Sequence, residues 1–562
     1  MISDKLKEAY RNKIAECYVE YLEKNHKDPT TKEFKCNFGP GAAEQGISTW
    51  KDVFKNITEV REVALTTPEL AERIQKATFN EEEFGSKEYK ERVRRELKNY
   101  KKFIVTTAVN GKQVNIDFLA SLQNYAKVNN AAITFQISHD VRSSKRKFAF
   151  NLDPALRCGY VISEDTWLNN NIVLPNLIAS AKQINPDSGL NRFCAKLGAT
   201  LVLPGCKQSQ KHIAELERSN RIPHSTLVTG AVTVADYSSD VIIAGRTNWM
   251  AEQDHQLGAA IIEIEDDERF HLRVIQAAED GSFTDMGNVY YPDGVVGTTQ
   301  SAVYVLGDSQ IGGDANEVLV NDIITQIKNS PWISEVIIHD LENATSVSHH
   351  EENDYIQRVI RMQQGRTDLI DEGNDIVDYL NKFLEIPNLR ITIVNSNHDR
   401  HVDKYLHGFR FVHNRDLVNM TTAMKMSLAI MEGKVTCPVQ YLVEELTTHK
   451  ITDSSRVKWL TRDESYKKYG CELGSHGDEG TNGSRGNIRI FQNNLYNAVI
   501  AHSHSAAIKH KVFQVGMTGN LNQDYNHGLS SWTHTNCLVY EDGTKQLIDF
   551  IPTVDGGYTY RA

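Results

Sequence analysis

The stretch Ser301-Ala-Val-Tyr-Val-Leu-Gly307-Asp308-Ser309-Gln310 sets the terms for the rest of the chain. A short apolar run rich in β-branched residues stops at a glycine and then presents a carboxylate. A buried strand delivers a ligand in this way, because its two faces are covered and only its end is free for polar work. The design recurs four times further on. Residues 333–340 end in His339-Asp340 and 389–399 in Asn397-His398-Asp399, while 471–477 carry His476 and 497–504 end in His502-Ser503-His504. Helical sequence separates most of these runs, which is the pattern of an open, mostly parallel α/β sheet. The carboxyl ends of such strands line one edge, where ligands bind. Five ends of this kind gather two aspartates, an asparagine and up to four histidines into one crevice, the donor set of a metal site for two ions.

At 562 residues the chain is too long for one core. Charged helical sequence fills residues 1–100, and an α/β accessory domain is expected over 101–292. The turn cluster Tyr291-Pro292-Asp293-Gly294 then opens a third region, 293–562, which holds the ligand-bearing strands. Within the accessory domain, residues 103–109 and 131–137 read as strands around a helix at 115–128. Residues 259–264 and 270–275 form a hairpin. The second half has the same order of parts, ending in a hairpin of 537–540 with 546–551. Two readings stay open: an internal duplication whose first copy lost its ligands, or the chance likeness of two α/β domains. A spare α/β half also makes self-association an expectation.

Composition narrows the partners. Lys and Arg total 62 against 73 Asp and Glu, a formal charge of −11, which does not favour broad attraction to nucleic acid. The charged stretch 88–102 reads as a solvated helix face. The cluster Arg142-Ser-Ser-Lys145-Arg146-Lys147 runs against the acidic balance and could grip phosphates, with a solvated loop as the alternative. Eight cysteines without CxxC spacing read as reduced thiols. No apolar leader and no run long enough to span a bilayer is present, so a cytoplasmic protein without membrane contact is expected.

Gly307-Asp308-x-Gln310, His339-Asp340-x-x-Asn343, Asn397-His398-Asp399, His476 and His502-x-His504 resemble, in order, the five motifs of the calcineurin-like metallophosphoesterases. The likeness covers roughly residues 300–551. Around His476-Gly-Asp-x-Gly480-x-Asn482-Gly483-x-Arg485-Gly486 it extends to phage-encoded members, and the architecture is similar to the nuclease subunits of double-strand-break repair. The resemblance implies a C-terminal sandwich of mixed sheets flanked by helices. It implies a bridging Asp340, a first ion on Asp308 and His504 with Gln310 in a usual histidine position, and a second ion on Asn397, His476 and His502. It assigns His398 to the scissile phosphate, with Asp399 beside it to fix the ring's tautomer. Gln310 departs from the pattern, since an amide oxygen is a poorer ligand than imidazole; His339, Asn343 and Ala501 are further departures.

The function so implied is two-metal hydrolysis of a phosphodiester, with manganese as the first choice of ion and Mg2+, Fe2+ or Zn2+ as alternatives. DNA is the leading substrate, making the chain a deoxyribonuclease. Arg142, Lys145, Arg146, Lys147 and His349 are candidate substrate contacts; for His349 a helix-capping or surface position is the alternative. Two other readings stand beside it: a protein or small-molecule phosphatase of the same family, and a non-catalytic assembly protein with a structural metal site.

Overall fold

The computed structural model describes residues 4–25, 34–38, 48–54, 57–77, 79–140, 150–216, 223–237, 245–312, 315–350, 352, 354–523 and 526–561. The fold is mixed α/β. Its centre is a six-stranded sheet ordered Val457–Trp459, Arg390–Val394, Ile333–His339, Ala302–Val305, Thr535–Tyr540 and Lys545–Asp549. The first four strands run parallel, and the last two form an antiparallel hairpin. Ala302–Val305 is buried along its whole length, as its unbroken apolar sequence requires of a central strand. Helices Glu317–Asn329 and Leu369–Leu384 cover the sheet, burying Leu319, Ile323, Ile376 and Leu380 against Tyr304 and Ile338. The helical sequence of 351–385 is two helices, Tyr355–Gln363 and Leu369–Leu384, interrupted at Gly365, whose φ is 69°.

A second sheet joins the two halves of the chain. Its ten strands run Lys467–Lys468, Cys471–Glu472, Ala498–Ile500, Val512–Gln514, Ala507–Lys509, Ser209–His212, Ser225–Val228, Thr200–Leu203, Ile172–Leu174 and Thr166–Asn169. Read outward from the junction of Ala507–Lys509 with Ser209–His212, both sides show one sequence of pairings: antiparallel, parallel, parallel, antiparallel. The accessory half also has its own sheet, in which Lys102–Val109 pairs parallel with Ala131–His139 and antiparallel with the hairpin Gly258–Ile264/Phe270–Gln276. This is the arrangement of Ala302–Val305, Ile333–His339 and the C-terminal hairpin. Phe103, Ile104, Val303, Val305, Val499 and Phe513 share one core, so the halves are packed as one body. The turn at 291–294 is the tip of a hairpin between Asn288–Tyr290 and Val296–Thr298.

The helical N-terminal part packs separately around Ile14, Tyr18, Leu22, Trp50 and Phe54. The expectation that every cysteine is a free thiol is corrected here. Phe34 packs on Tyr18 and Trp50, which brings Cys36 back to the helix Asp4–Asn25, and Cys17 and Cys36 are bonded with Cα atoms 5.7 Å apart. Tertiary packing brings that pair together, so no local cysteine spacing announces it. The other six cysteines are free, five of them buried. Residues 88–102 divide into the helix Lys87–Leu97 and the start of a strand; Lys87 faces Glu91 at 3.7 Å, as a solvated face would. No helix among the described residues is long and apolar enough to cross a membrane.

One close backbone approach fixes the end of the central strand. The Gly307 amide donates to Asn536 Oδ1 at 2.8 Å, and a Cβ at position 307 would lie 2.6 Å from the backbone of Gly516 and Met517. Gly307→Ala is therefore expected to lower stability by about 1–3 kcal/mol through overpacking. Urea denaturation checks this, and an unchanged midpoint would remove the steric account.

Candidate metal centre

The loops past five strands converge beside the central sheet. Asp308 lies three residues beyond Val305; its amide donates to Gly516 O at 3.2 Å and its carbonyl accepts from Thr518 N at 2.8 Å. Asp340 directly follows Ile333–His339, and its carbonyl accepts from Gln310 N at 2.6 Å, so the two strand ends are zipped together. Asn397 lies three residues past Arg390–Val394, and His398 leads into the helix Asp399–His407. His476 follows Cys471–Glu472, its carbonyl held by Ala501 N at 2.7 Å. A Cβ at Gly486 would lie 1.9 Å from Gly477 O, so the loop after His476 closes only on glycine.

The side chains meet at short range. His504 Nε2 is 3.0 Å from Asp308 Oδ2, and His476 reaches Asp308 Oδ1 at 3.9 Å through Nδ1 and Asp340 Oδ1 at 3.7 Å through Nε2. Asn397 Oδ1 lies 2.8 Å from His476 Nε2 and 2.9 Å from His502 Nδ1. His398 Nε2 stands 3.6 Å from Asp340 Oδ2. Donor atoms of Asp308, Asp340 and His476 all fall within 4.8 Å of one another. All seven residues nominated as ligands, together with His398, are thus brought together.

Several details differ from the expectations. The apolar run of 497–504 is not strand to its end: the strand stops at Ile500, and His502 and His504 take left-handed φ values of 72° and 57°. The Ser503 amide bonds to Ala501 O at 2.9 Å, a tight turn that aims the two rings at different ends of the site. Gln310 and Asp340 are left-handed as well, at 49° and 48°. Non-glycine residues adopt this region at a cost of roughly 1–3 kcal/mol each, and they concentrate at functional sites.

Asp399 does not hold the His398 ring. Its Oδ2 accepts from Ser396 N at 2.6 Å, which pins the turn carrying Asn397, and burial pushes its carboxyl up to about 7. His398 Nδ1 is buried with no hydrogen bond. Gln310 turns its Nε2 toward Asp340 Oδ2 at 3.2 Å and its Oε1 toward Gln523 Nε2 at 2.6 Å. A ligand role for Gln310 needs this amide turned over, and Gln523 turned over with it, so that Gln310 Nε2 donates to the otherwise unbonded Oε1 of Gln523. Sequence reasoning gave Gln523 no role; only its contact with Gln310 distinguishes it. The cluster at 142–147 lies outside the described residues. His349 sits apart from the seven, against His401, whose ring packs edge-on to His398 with centroids 5.2 Å apart.

The electrostatics call for a cation. Asp308 and Asp340 are fully buried, yet neither oxygen of Asp308 nor Oδ1 of Asp340 accepts a hydrogen bond of acceptable geometry. Burial alone would raise the Asp340 carboxyl, but the imidazoles of His398 and His476 pull it below the usual carboxylate range. An unpaired buried carboxylate costs several kcal/mol. A divalent ion removes that cost, and the mixed oxygen and imidazole donors suit one. The residues present fit such an ion. A cavity of about 400 Å³ opens beside His476, walled by Arg462, Asp478, Glu479 and Phe491. Arg462 pairs with Asp478 at 2.6 Å across it.

The chain is similar to a phage protein. Over 489 residues it is 27% identical to "Protein A1" of Escherichia phage T5, covering 81% of this chain and 83% of that one. No protein-family profile matches the chain. No solved structure matches it.

The accessory half carries no such charges at the corresponding points. Thr107 bridges Ala231 as Asp308 bridges Met517, and Gln136 lies three residues past Ile133 as Asp340 lies three past Ile337. Both are neutral and bonded: Thr107 Oγ1 accepts from Gly205 N at 2.9 Å, and Gln136 Nε2 donates to Val202 O at 2.9 Å.

Manganese added to chelator-treated protein is expected to raise its melting temperature, by about 2.7 kcal/mol of stability at a hundredfold excess over Kd. The paired substitution Asp308→Asn and Asp340→Asn should abolish that gain. An equal gain in both proteins would locate the ion elsewhere. Gln310→His should tighten the manganese titration if position 310 ligates; an unchanged curve puts it outside the shell.

Proposed function

We propose that this chain is a metal-dependent phosphodiesterase of the calcineurin-like type, and that its substrate is DNA. The observation carrying this reading is the pair of buried carboxylates, Asp308 and Asp340, with three of their oxygens unbonded and facing a group of imidazoles at loops past strand ends. Asp308, Asp340, Asn397, His476, His502 and His504 would hold two divalent ions, manganese first. When bound, the ions neutralise the phosphate oxygens and acidify the attacking water.

The chain's own contribution is position and a proton. His398 Nε2, 3.6 Å from Asp340, is the group in reach of a phosphoester there, and it would hand its proton to the departing alcohol oxygen. Asp399 acts through the backbone: by anchoring Ser396 N it holds the turn on which Asn397 and His398 stand. Burial of Asp308 and Asp340 keeps bulk water from competing for their charge.

DNA is favoured over other phosphoesters by the loop after His476, which resembles phage-encoded members of that family; the similarity to a phage T5 protein fits a phage setting. Degradation of host DNA in the bacterial cytoplasm during phage infection is the setting this reading gives. The whole chain resembles the pre-early host-DNA-degrading protein of the T-odd coliphages.

Purified protein should degrade linear duplex DNA with manganese and lose that activity with EDTA. Turnover of an aryl phosphate ester without DNA cleavage would point to a phosphatase, and no turnover of either to a structural metal site. His398→Ala is expected to slow DNA cleavage by about 10²–10⁴-fold while keeping the metal content. Asp340→Asn should lose both. Undiminished cleavage by the His398 variant would take that residue out of the reaction.

A further inference from the structure

Three histidines outside the set above form a second cluster. His349 and His350 end the loop that follows Thr345–Val347, and His401 stands in the first turn of the helix Asp399–His407. One nitrogen from each lies within 4.8 Å of the other two. The rings crowd together, with centroids 4.0 Å apart for His349 and His350, 4.8 Å for His349 and His401, and 5.4 Å for His350 and His401. His401 is buried, His349 half-buried and His350 exposed, so the cluster opens to solvent on one side.

We propose that His349, His350 and His401 bind a divalent transition-metal ion of the zinc class, at a site separate from the Asp308–Asp340 centre. His349 Nδ1 and His401 Nδ1 face each other at 2.9 Å. Two imidazoles on one tetrahedral zinc, with bonds of 2.0–2.1 Å, hold their nitrogens about 3.3 Å apart, so small ring rotations suffice. Without an ion, the facing pair can share a single proton between two lone-pair positions, and the third ring gains nothing from it. Burial also pushes His401 down to about 3 and His349 down to about 4, which keeps both rings in the neutral, ligating form at physiological pH.

The surroundings set the terms of binding. Lys404 Nζ donates to His349 Nε2 at 3.0 Å. An ion on Nδ1 moves the ring proton to Nε2, so this exposed lysine must turn out to solvent. Arg410 and Glu352 pair with each other nearby and neutralise their own charges. Three imidazoles leave a fourth position open, as in zinc sites that bind solvent or substrate oxygen. The ion would stand one ring away from His398, through the contact of His398 with His401. This inference uses none of the residues of the proposed dinuclear centre and stands independently of the phosphodiesterase reading.

Cobalt(II) is the probe, because ions bound by imidazoles absorb in the visible range. The tag-free full chain, stripped by chelator, would be titrated alongside His349→Ala, His350→Ala and the Asp308→Asn/Asp340→Asn double variant, with far-UV circular dichroism as the check on folding. The expected result is a visible band in the wild type that survives in the double variant. In each histidine variant the part of the absorbance that survives in the double variant should be lost, with one ion fewer per chain. Because His350 is on the surface, its variant is expected to keep the fold, and the ion count of that variant alone decides the matter. A band and an ion count in His350→Ala equal to those of the wild type would overturn the proposal, as would a wild type that binds no cobalt.

Discussion

Two buried carboxylates with too few hydrogen-bond donors make the central demand of this structure. Asp308 and Asp340 are enclosed by the loops of a sheet that buries its strands on both faces, and both oxygens of Asp308 and Oδ1 of Asp340 find no donor of good geometry. Charge in that position is stable only beside opposite charge. The imidazoles of His476, His504 and His398 stand close enough to share a cation with them. The left-handed backbone at Gln310, Asp340, His502 and His504 follows from the same demand. Ordinary strand geometry would alternate these side chains, whereas sharp turns aim them inward.

The scaffold explains how such a site holds its shape. The ten-stranded sheet runs without a break from one half of the chain to the other, and its pairing pattern repeats on either side of the junction. The strands carrying Asp308 and Asp340 have counterparts carrying Thr107 and Gln136, where Thr107 Oγ1 and Gln136 Nε2 bond to backbone groups. One half thus keeps a neutral crevice at these points, and the other keeps a charged and strained one. Packing both around a common core lets the first stabilise the turns of the second. Gly307 and Gly516 belong to this arrangement, because the Asp308 loop lies against the neighbouring chain with no room for a side chain.

Histidine-rich neighbours give the site a second layer. His398 touches His401, and His401 touches His349 and His350, so imidazoles extend from the carboxylates to the surface. Lys404, Arg400 and Arg462 flank this line, with Arg400 paired to Glu479 and Arg462 to Asp478. The two arginines are thus neutralised by acids, and Lys404 bonds to the imidazole of His349.

The amino-acid sequence by itself determined the strand that ends at Asp308, the alternation of helix and strand after it, and the set of residues worth watching. Apolar runs ending in carboxylate or imidazole are local signals, and strand and helix periodicity is a local property. Only the tertiary structure decided that His502 and His504 leave their strand and turn to opposite ends of the site. It alone assigned Asp399 to Ser396 rather than to His398, paired Cys17 with Cys36, and brought His349, His350 and His401 together. Each of these depends on which distant segments touch or on how a turn bends the chain. Such contacts are set by packing across the whole molecule, and no window of neighbouring residues contains them.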